Sequence, residues 1–293
     1  MTVVKVETRP PVDLPVPSEL VNPGMTVWDA GWSADRTYLA LVTGIDKEDR
    51  WKATFSVYRV SAGKTEQLIN QPGTLAISFS DPDLMFKDIN GDKRPDFVYT
   101  TSTLGNCWSC TQRVVLLGNG SGGFDPARVA KQTPPVALVP SSVVDINNDG
   151  VFEWVMFDPR WELAAGFCHA CSPGSWYVYA WNSTEYADAS SRFAAYLDTR
   201  RKELQQVNRK TTDPATNDPI PPAASAPCSD KEEYLSALIG RYMDYADTQR
   251  TADAQRLASQ MRSYDFGPLA AKRDYVVSVL PAPTTQIYRG GGC

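Results

Sequence analysis

Two stretches decide the reading of this chain: DINGDKRPDFV, residues 88–98, and DINNDGVFEWV, residues 145–155. Laid one on the other, they place oxygen-bearing side chains at positions one, three, five and nine. These are Asp88, Asn90, Asp92 and Asp96 in the first, and Asp145, Asn147, Asp149 and Glu153 in the second. A hard cation such as calcium takes about six to eight oxygens at ~2.3–2.6 Å, and a tight loop turns alternate side chains inward towards it. The backbone carbonyl at position seven, Arg94 or Val151, completes such a set. Gly91 and Gly150 supply the backbone conformations that the turn demands. Magnesium more often keeps several waters and uses fewer carboxylates, so two calcium ions are the expectation. An EF-hand would need a bidentate Glu at position twelve. Tyr99 and Met156 stand there, inside FVYTT and WVMF, which read as strands. The loops therefore join strands, and the fold is built around antiparallel hairpins.

Working outward, the runs TVWDAGW, YLALVTG, WKATFSVYRV and TEQLI form one four-stranded unit between residues 25 and 70, separated by turn-forming SADR, DKEDR and SAGK. LAISFS, DFVYTTST and RVVLLGN, with the turn NGSGGF, form a second. SSVVDI, EWVMFD and WYVYAWN form a third. The pattern then changes period. Phe193, Tyr196, Leu197, Leu204 and Val207 recur at helical spacing, which predicts a helix over about 186–207. A Pro- and Ala-rich linker at 211–227, TTDPATNDPIPPAASAP, has a composition that reads as unable to pack. Ser229 and Glu232 have capping-box spacing at the start of a helix carrying Tyr234, Leu235, Leu238, Ile239 and Tyr242, which runs on to Tyr264. YVVSVL, 275–280, reads as a last strand. The chain is thus α+β, with an extended leader at 1–24, a β-rich domain at 25–184 and a helical region at 185–293.

The two loops resemble the D-x-N-x-D-G-x-x-[DE] calcium loops of FG-GAP and VCBS repeats, the integrin-type β-propeller family, and GNGSGGF at 118–124 resembles that family's glycine-rich signature. The first loop departs by carrying Lys93 in place of Gly. The second departs by Glu153 and by lacking a clear NGSGGF equivalent after Trp181. The resemblance covers roughly residues 75–185, with the unit at 25–70 a degenerate further copy. It implies two to three propeller-like blades, an incomplete set, since a closed propeller takes about four to eight.

The cysteines repeat as well: Cys107 and Cys110, then Cys168 and Cys171, fall between strands of successive repeats, and Cys228 and Cys293 follow. Three readings compete for the CxxC pairs. Disulfides come first. A tetrahedral zinc held by all four sulfurs is the second, although the gap between the pairs exceeds the usual ribbon spacing of ~15–20 residues. A redox dithiol is third, because RVVLL after Cys110 is a strand and not the helix such a thiol needs. Cys228 and Cys293 read as a tether for the C-terminal tail. The even count, beside extracellular-type calcium loops, points to an exported chain, periplasmic or secreted.

Composition narrows function further. The chain has 293 residues, net charge −5 and a single histidine, His169, between Cys168 and Cys171. A sequence pI near 5.1 speaks against nucleic acid. No apolar run reaches the ~20 residues of a membrane helix, and prolines stand where a signal peptide would have its apolar stretch. One histidine excludes two-histidine metal sites within one chain. No nucleophile elbow or phosphate loop is present. The expected function is non-catalytic recognition of a protein or glycan ligand. One alternative is an extracytoplasmic inhibitor or immunity-type protein that presents Trp28, Trp32, Trp108, Trp161 and Trp176 to a secreted toxin or enzyme. Another is a hydrolase with structural calcium, using a pair such as Asp158 and Glu162.

Overall fold

A computed structural model describes residues 16–45, 53–61, 64–73, 76–79, 81–103, 110–130, 139–158, 160–162, 164–167, 172–207 and 212–280. It divides into two compact units. The first comprises Met1–Thr103 with Val114–Pro126, and the second Leu104–Arg113 with Ala127–Cys293.

The first unit holds two four-stranded antiparallel meanders. One runs β1 (Thr26–Trp32), β2 (Tyr38–Gly44), β3 (Thr54–Ser61), β4 (Lys64–Pro72), and the other β5 (Ala76–Ser78), β6 (Phe97–Ser102), β7 (Thr111–Gly118), β8 (Phe124–Pro126). Strand β2 is buried along its whole length because it serves both faces of its sheet. Tyr38, Ala40 and Val42 alternate with Leu39 and Leu41, as the two-residue period of a strand requires. The even set joins Phe55 and Val57 in a core shared with Phe79, Phe86, Phe97, Tyr99 and Leu116 of the second meander. The odd set packs with Tyr58 against Val16, Leu20 and Trp32. The end of the expected leader is therefore tied down, with a single 3-10 turn at Ser18–Leu20. Gly44 is obligatory for a packing reason: a Cβ there would lie 2.2 Å from the Trp28 ring.

The second unit begins with a third antiparallel meander, β9 (Val139–Val144), β10 (Glu153–Asp158), β11 (Ser175–Trp181), β12 (Tyr186–Asp188). Its outer edge is partly closed by residues 128–130, since the Tyr186 amide donates to Arg128 and the Ala130 amide to Tyr186. Four helices follow: α1 (Ala194–Val207), α2 (Cys228–Asp247), α3 (Thr251–Ser263) and α4 (Ala270–Val279). Phe193 and Leu197 cover Val155, Phe157, Trp176 and Val178 on one face of the sheet. Helices α2 to α4 enclose a second core with Trp161, Ala165 and Phe167. No helix among the described residues is long and apolar enough to cross a membrane.

The architecture is α+β, as expected, and each of the three sheets is a four-stranded antiparallel meander in sequential order. Four local expectations are corrected. Residues 186–188 are strand, and the helix starts only at Ala194, because Tyr186 pairs with Trp181 across the hairpin. YVVSVL is not a strand. It lies largely in α4, where Lys272 and Val276 are buried and β-branched preference yields to packing against the helical core. The Ser229–Glu232 capping box does not form: α2 starts behind Pro227 without a side-chain cap, and Glu232 pairs instead with Lys272. The linker packs, since Asp218 is buried and Tyr264 donates to the Pro222 carbonyl. Trp161 and Trp176 are also buried, so neither presents a face to a partner.

Candidate metal loops and a buried ionic network

The two acidic loops share most of their bonding at matching positions. In the first, Asp88 accepts the amides of Gly91, Asp92 and Lys93 at 2.8, 3.1 and 2.8 Å. In the second, Asp145 accepts those of Asp149 and Gly150 at 3.0 and 2.9 Å. Asn90 and Asn147 each accept the amide two residues on, both at 3.1 Å. Asp92 and Asp149 do the same for Arg94 and Val151, at 2.9 and 2.8 Å. The position-nine carboxylates close the loops by accepting the position-two amides: Ile89 to Asp96 and Ile146 to Glu153, both 2.9 Å.

The backbone repeats too. Positions four and six take positive φ in both loops: Gly91 at 78° and Lys93 at 68°, Asn148 at 59° and Gly150 at 86°. Each loop thus spends one glycine on a left-handed position and forces another residue into the other. A non-glycine residue there costs about 1–2 kcal/mol. Lys93→Gly is therefore expected to stabilise the first unit by about 0.5–1 kcal/mol, after the entropy that glycine adds to the unfolded chain. Gly150→Ala should destabilise by about 1–2 kcal/mol, by backbone strain alone, since no atom lies within 4 Å of the added Cβ. Urea titration of each variant measures both. Opposite signs are the expected result, and equal signs would refute the account.

Electrostatics concentrate at position nine. Asp96 is buried, and burial first, with the neighbouring Asp92 and Asp88 charges, pushes its carboxyl up to about 6. The amides of Ile89 and Gly118, the latter at 2.8 Å, pull the other way. Glu153 is raised in the same sense by burial, with Arg192 at 3.6 Å opposing. An oxygen-only set bearing this much negative charge has the chemistry of a hard-cation site, with Asp88, Asn90, Asp92, the Arg94 carbonyl and Asp96 as holders in the first loop. Asp145, Asn147, Asp149, the Val151 carbonyl and Glu153 match them in the second. As the side chains stand, the carboxylates turn onto the loop's own amides. No three carboxylate, thiol or imidazole groups converge on one point among the described residues.

The hairpin turns extend the repeat beyond what the sequence signature shows. Asn119 accepts from the Ser121 amide and hydroxyl and from the Gly123 amide. Asn182, in WNSTEY, accepts from the Thr184 amide and hydroxyl and the Glu185 amide. The third meander thus carries an equivalent of the NGSGGF turn without its glycines. An Asn followed two residues on by Ser or Thr was the legible signal, because that hydroxyl mimics a backbone turn.

Of the cysteines, Cys110 and Cys228 lie within the described residues, and both are disulfide-bonded. Cys107, Cys168, Cys171 and Cys293, with His169 and Trp108, lie outside them.

A cluster that the sequence did not point to lies between the helices of the second unit. Arg201 of α1 grips Asp244 of α2 through two bonds, 2.6 and 2.8 Å, and also reaches the Gly174 and Gly240 carbonyls. Gly240 leaves the room for it, since a Cβ there would lie 2.9 Å from the guanidinium. Arg241 bonds Asp198, the Thr216 carbonyl and Tyr245. Asp218, from the Pro-rich segment, receives Tyr245 at 2.7 Å and Arg256 at 2.6 Å. Burial pushes the Tyr245 hydroxyl up to about 12. Asp158 is likewise buried and held by Arg160.

Comparison with known proteins adds no family. No family model matches the chain, and no curated protein matches it.

Proposed function

We propose that this protein is an exported, non-catalytic recognition protein whose VCBS-like loops each hold one calcium ion. The observation that carries the reading is the bonding that the two loops share at matching positions, with the same two left-handed places in the backbone. Generic Asx turns share single bonds of this kind. Matching positions one, three, five and nine, together with two left-handed residues at the same places, is a stronger coincidence than composition explains. Calcium supplies positive charge that offsets the clustered carboxylates. The residues supply the oxygens and fix the hairpin that each loop ends. The role is bracing, and the ligand is a protein or glycan bound elsewhere on the β-rich part.

The disulfide-bonded Cys110 and Cys228 support an oxidising compartment. The disulfide at Cys110 also weighs against zinc, which requires thiolates. A negative net charge supports a partner other than nucleic acid.

Calorimetric titration of chelator-treated protein with calcium is expected to give two sites. Asp88→Asn and Asp145→Asn should each remove one. At free calcium about ten times Kd, linkage adds ~1.4 kcal/mol of stability per site. Absence of both heat and thermal shift at millimolar calcium would sink the reading. Release of zinc with four alkylatable thiols would replace it by a tetrahedral zinc site on the four CxxC sulfurs.

A further inference from the structure

We propose that Asp247 is a pH-sensitive latch between the C-terminal end of α2 and strand β11, closed while its carboxyl carries a proton and loosened when it ionises. The geometry is a census of donors and charges. Tyr177 of β11 donates to Asp247 at 2.7 Å and Ser175 at 3.3 Å. A nearby cation, Arg160, is already committed: its backbone amide and its guanidinium both bond Asp158 at the end of β10, and the guanidinium also reaches the Tyr177 oxygen at 2.9 Å. Within α2 itself, Asp244 adds a second negative charge, held by Arg201 of α1 and lying 3.8 Å from Arg241. An ionised Asp247 therefore sits near the Asp158 and Asp244 charges with two hydroxyl donors, and no cation among the described residues pairs with it directly. It is also the last residue of a 20-residue helix, where the helix dipole disfavours negative charge.

The protonated acid escapes these penalties and gains a donor of its own towards the Ser175 oxygen. In agreement, burial first, then the Asp158 and Asp244 charges, push the carboxyl up to about 7, against the bonds from Tyr177 and the charge of Arg160. The sign follows from linkage. The folded carboxyl holds its proton more tightly than the ordinary value of 3.8, so the closed contact is strongest in acid and is lost as pH rises through about 7. The amides of Thr248, Gln249 and Arg250, which bond back to Asp244, Ala246 and Tyr245, report the opening.

Thermal melting and hydrogen exchange of the full chain at about pH 5.5 and about pH 8.5 test this. The wild-type protein should melt lower and exchange faster at residues 248–250 in the alkaline buffer. Asp247→Asn, which keeps both hydroxyl bonds without a charge, should lose most of that difference. Tyr177→Phe removes a donor from the ionised form and should extend the fall to higher pH. Asp96 titrates in both proteins and cancels in the comparison. Equal pH profiles for the wild-type and Asn proteins would overturn the proposal. Should the Asn variant not fold, the carboxyl carbon of Asp247 in the wild-type protein is followed by NMR. Titration near 7 supports the latch, and titration in the ordinary carboxylate range overturns it.

Discussion

Arg201→Ala is expected to cost about 3–5 kcal/mol of stability, because it leaves the Asp244 carboxylate buried and without its bidentate partner. Both side chains of the pair are 4% exposed, so water does not replace the lost bonds. Arg241 stands 3.8 Å from Asp244 but is held by Asp198 and the Thr216 carbonyl, and so compensates only in part. A double substitution to apolar residues of similar volume, Arg201→Met with Asp244→Leu, should recover much of the loss, since breaking a buried pair costs more than removing it. Arg201→Lys should fall between, because a point charge lacks the planar fork that meets both carboxylate oxygens. Urea denaturation of the wild-type protein and these three variants measures each loss. A single-variant loss under about 1 kcal/mol would show that the pair behaves as a solvated surface bridge. With whole-protein stabilities of about 5–15 kcal/mol, the expected loss decides whether the helical part stays assembled.

Phe97→Ala should cost a similar amount, about 3–5 kcal/mol, by emptying the centre of the first core. Phe97 is fully buried, with ring centroids 4.9 Å from Phe86, 5.5 Å from Phe55 and 5.7 Å from Phe79. It also follows Asp96 directly, so the cavity opens beneath the residue that closes the first loop. On the calcium reading, affinity at that loop should fall while the loop at 145–153 keeps its own. Phe97→Leu retains most of the volume and should cost less than half as much. Calorimetry beside denaturation separates the two effects: loss of stability with unchanged affinity at both loops would show that the core and the loop are uncoupled.

How much of this was legible in the sequence depends on the range over which each signal acts. The three meanders were legible because alternation and turn chemistry act within a hairpin: β2 and β10 announce themselves as apolar runs, and their turns as Asn, Gly and Asp. The ligand pattern of the two loops was legible for the same reason, since its positions all lie within nine residues. Lys93 as a left-handed residue was foreshadowed only as a departure from the pattern. The chain failed to announce α4, because Tyr275, Val276, Val277 and Val279 have strand preference and only the helical core around Leu257 and Phe266 makes them a helix. Glu232 reads locally as half of a cap, yet Lys272, forty residues on, claims it.

Sequence alone therefore determined the β-hairpin repeats, their oxygen-rich loops and the α+β order, all of them products of contacts within a few residues. Tertiary structure decided which charges meet. Asp198, Asp218, Asp244 and Asp247 look like ordinary surface acids in the sequence. They are drawn into bonded networks only because α1, α2 and the Pro-rich segment bring Asp198, Asp218 and Asp244 to Arg201 and Arg241 and β11 brings Tyr177 to Asp247, and a carboxylate's energy is set by the groups around it rather than by its neighbours in the chain.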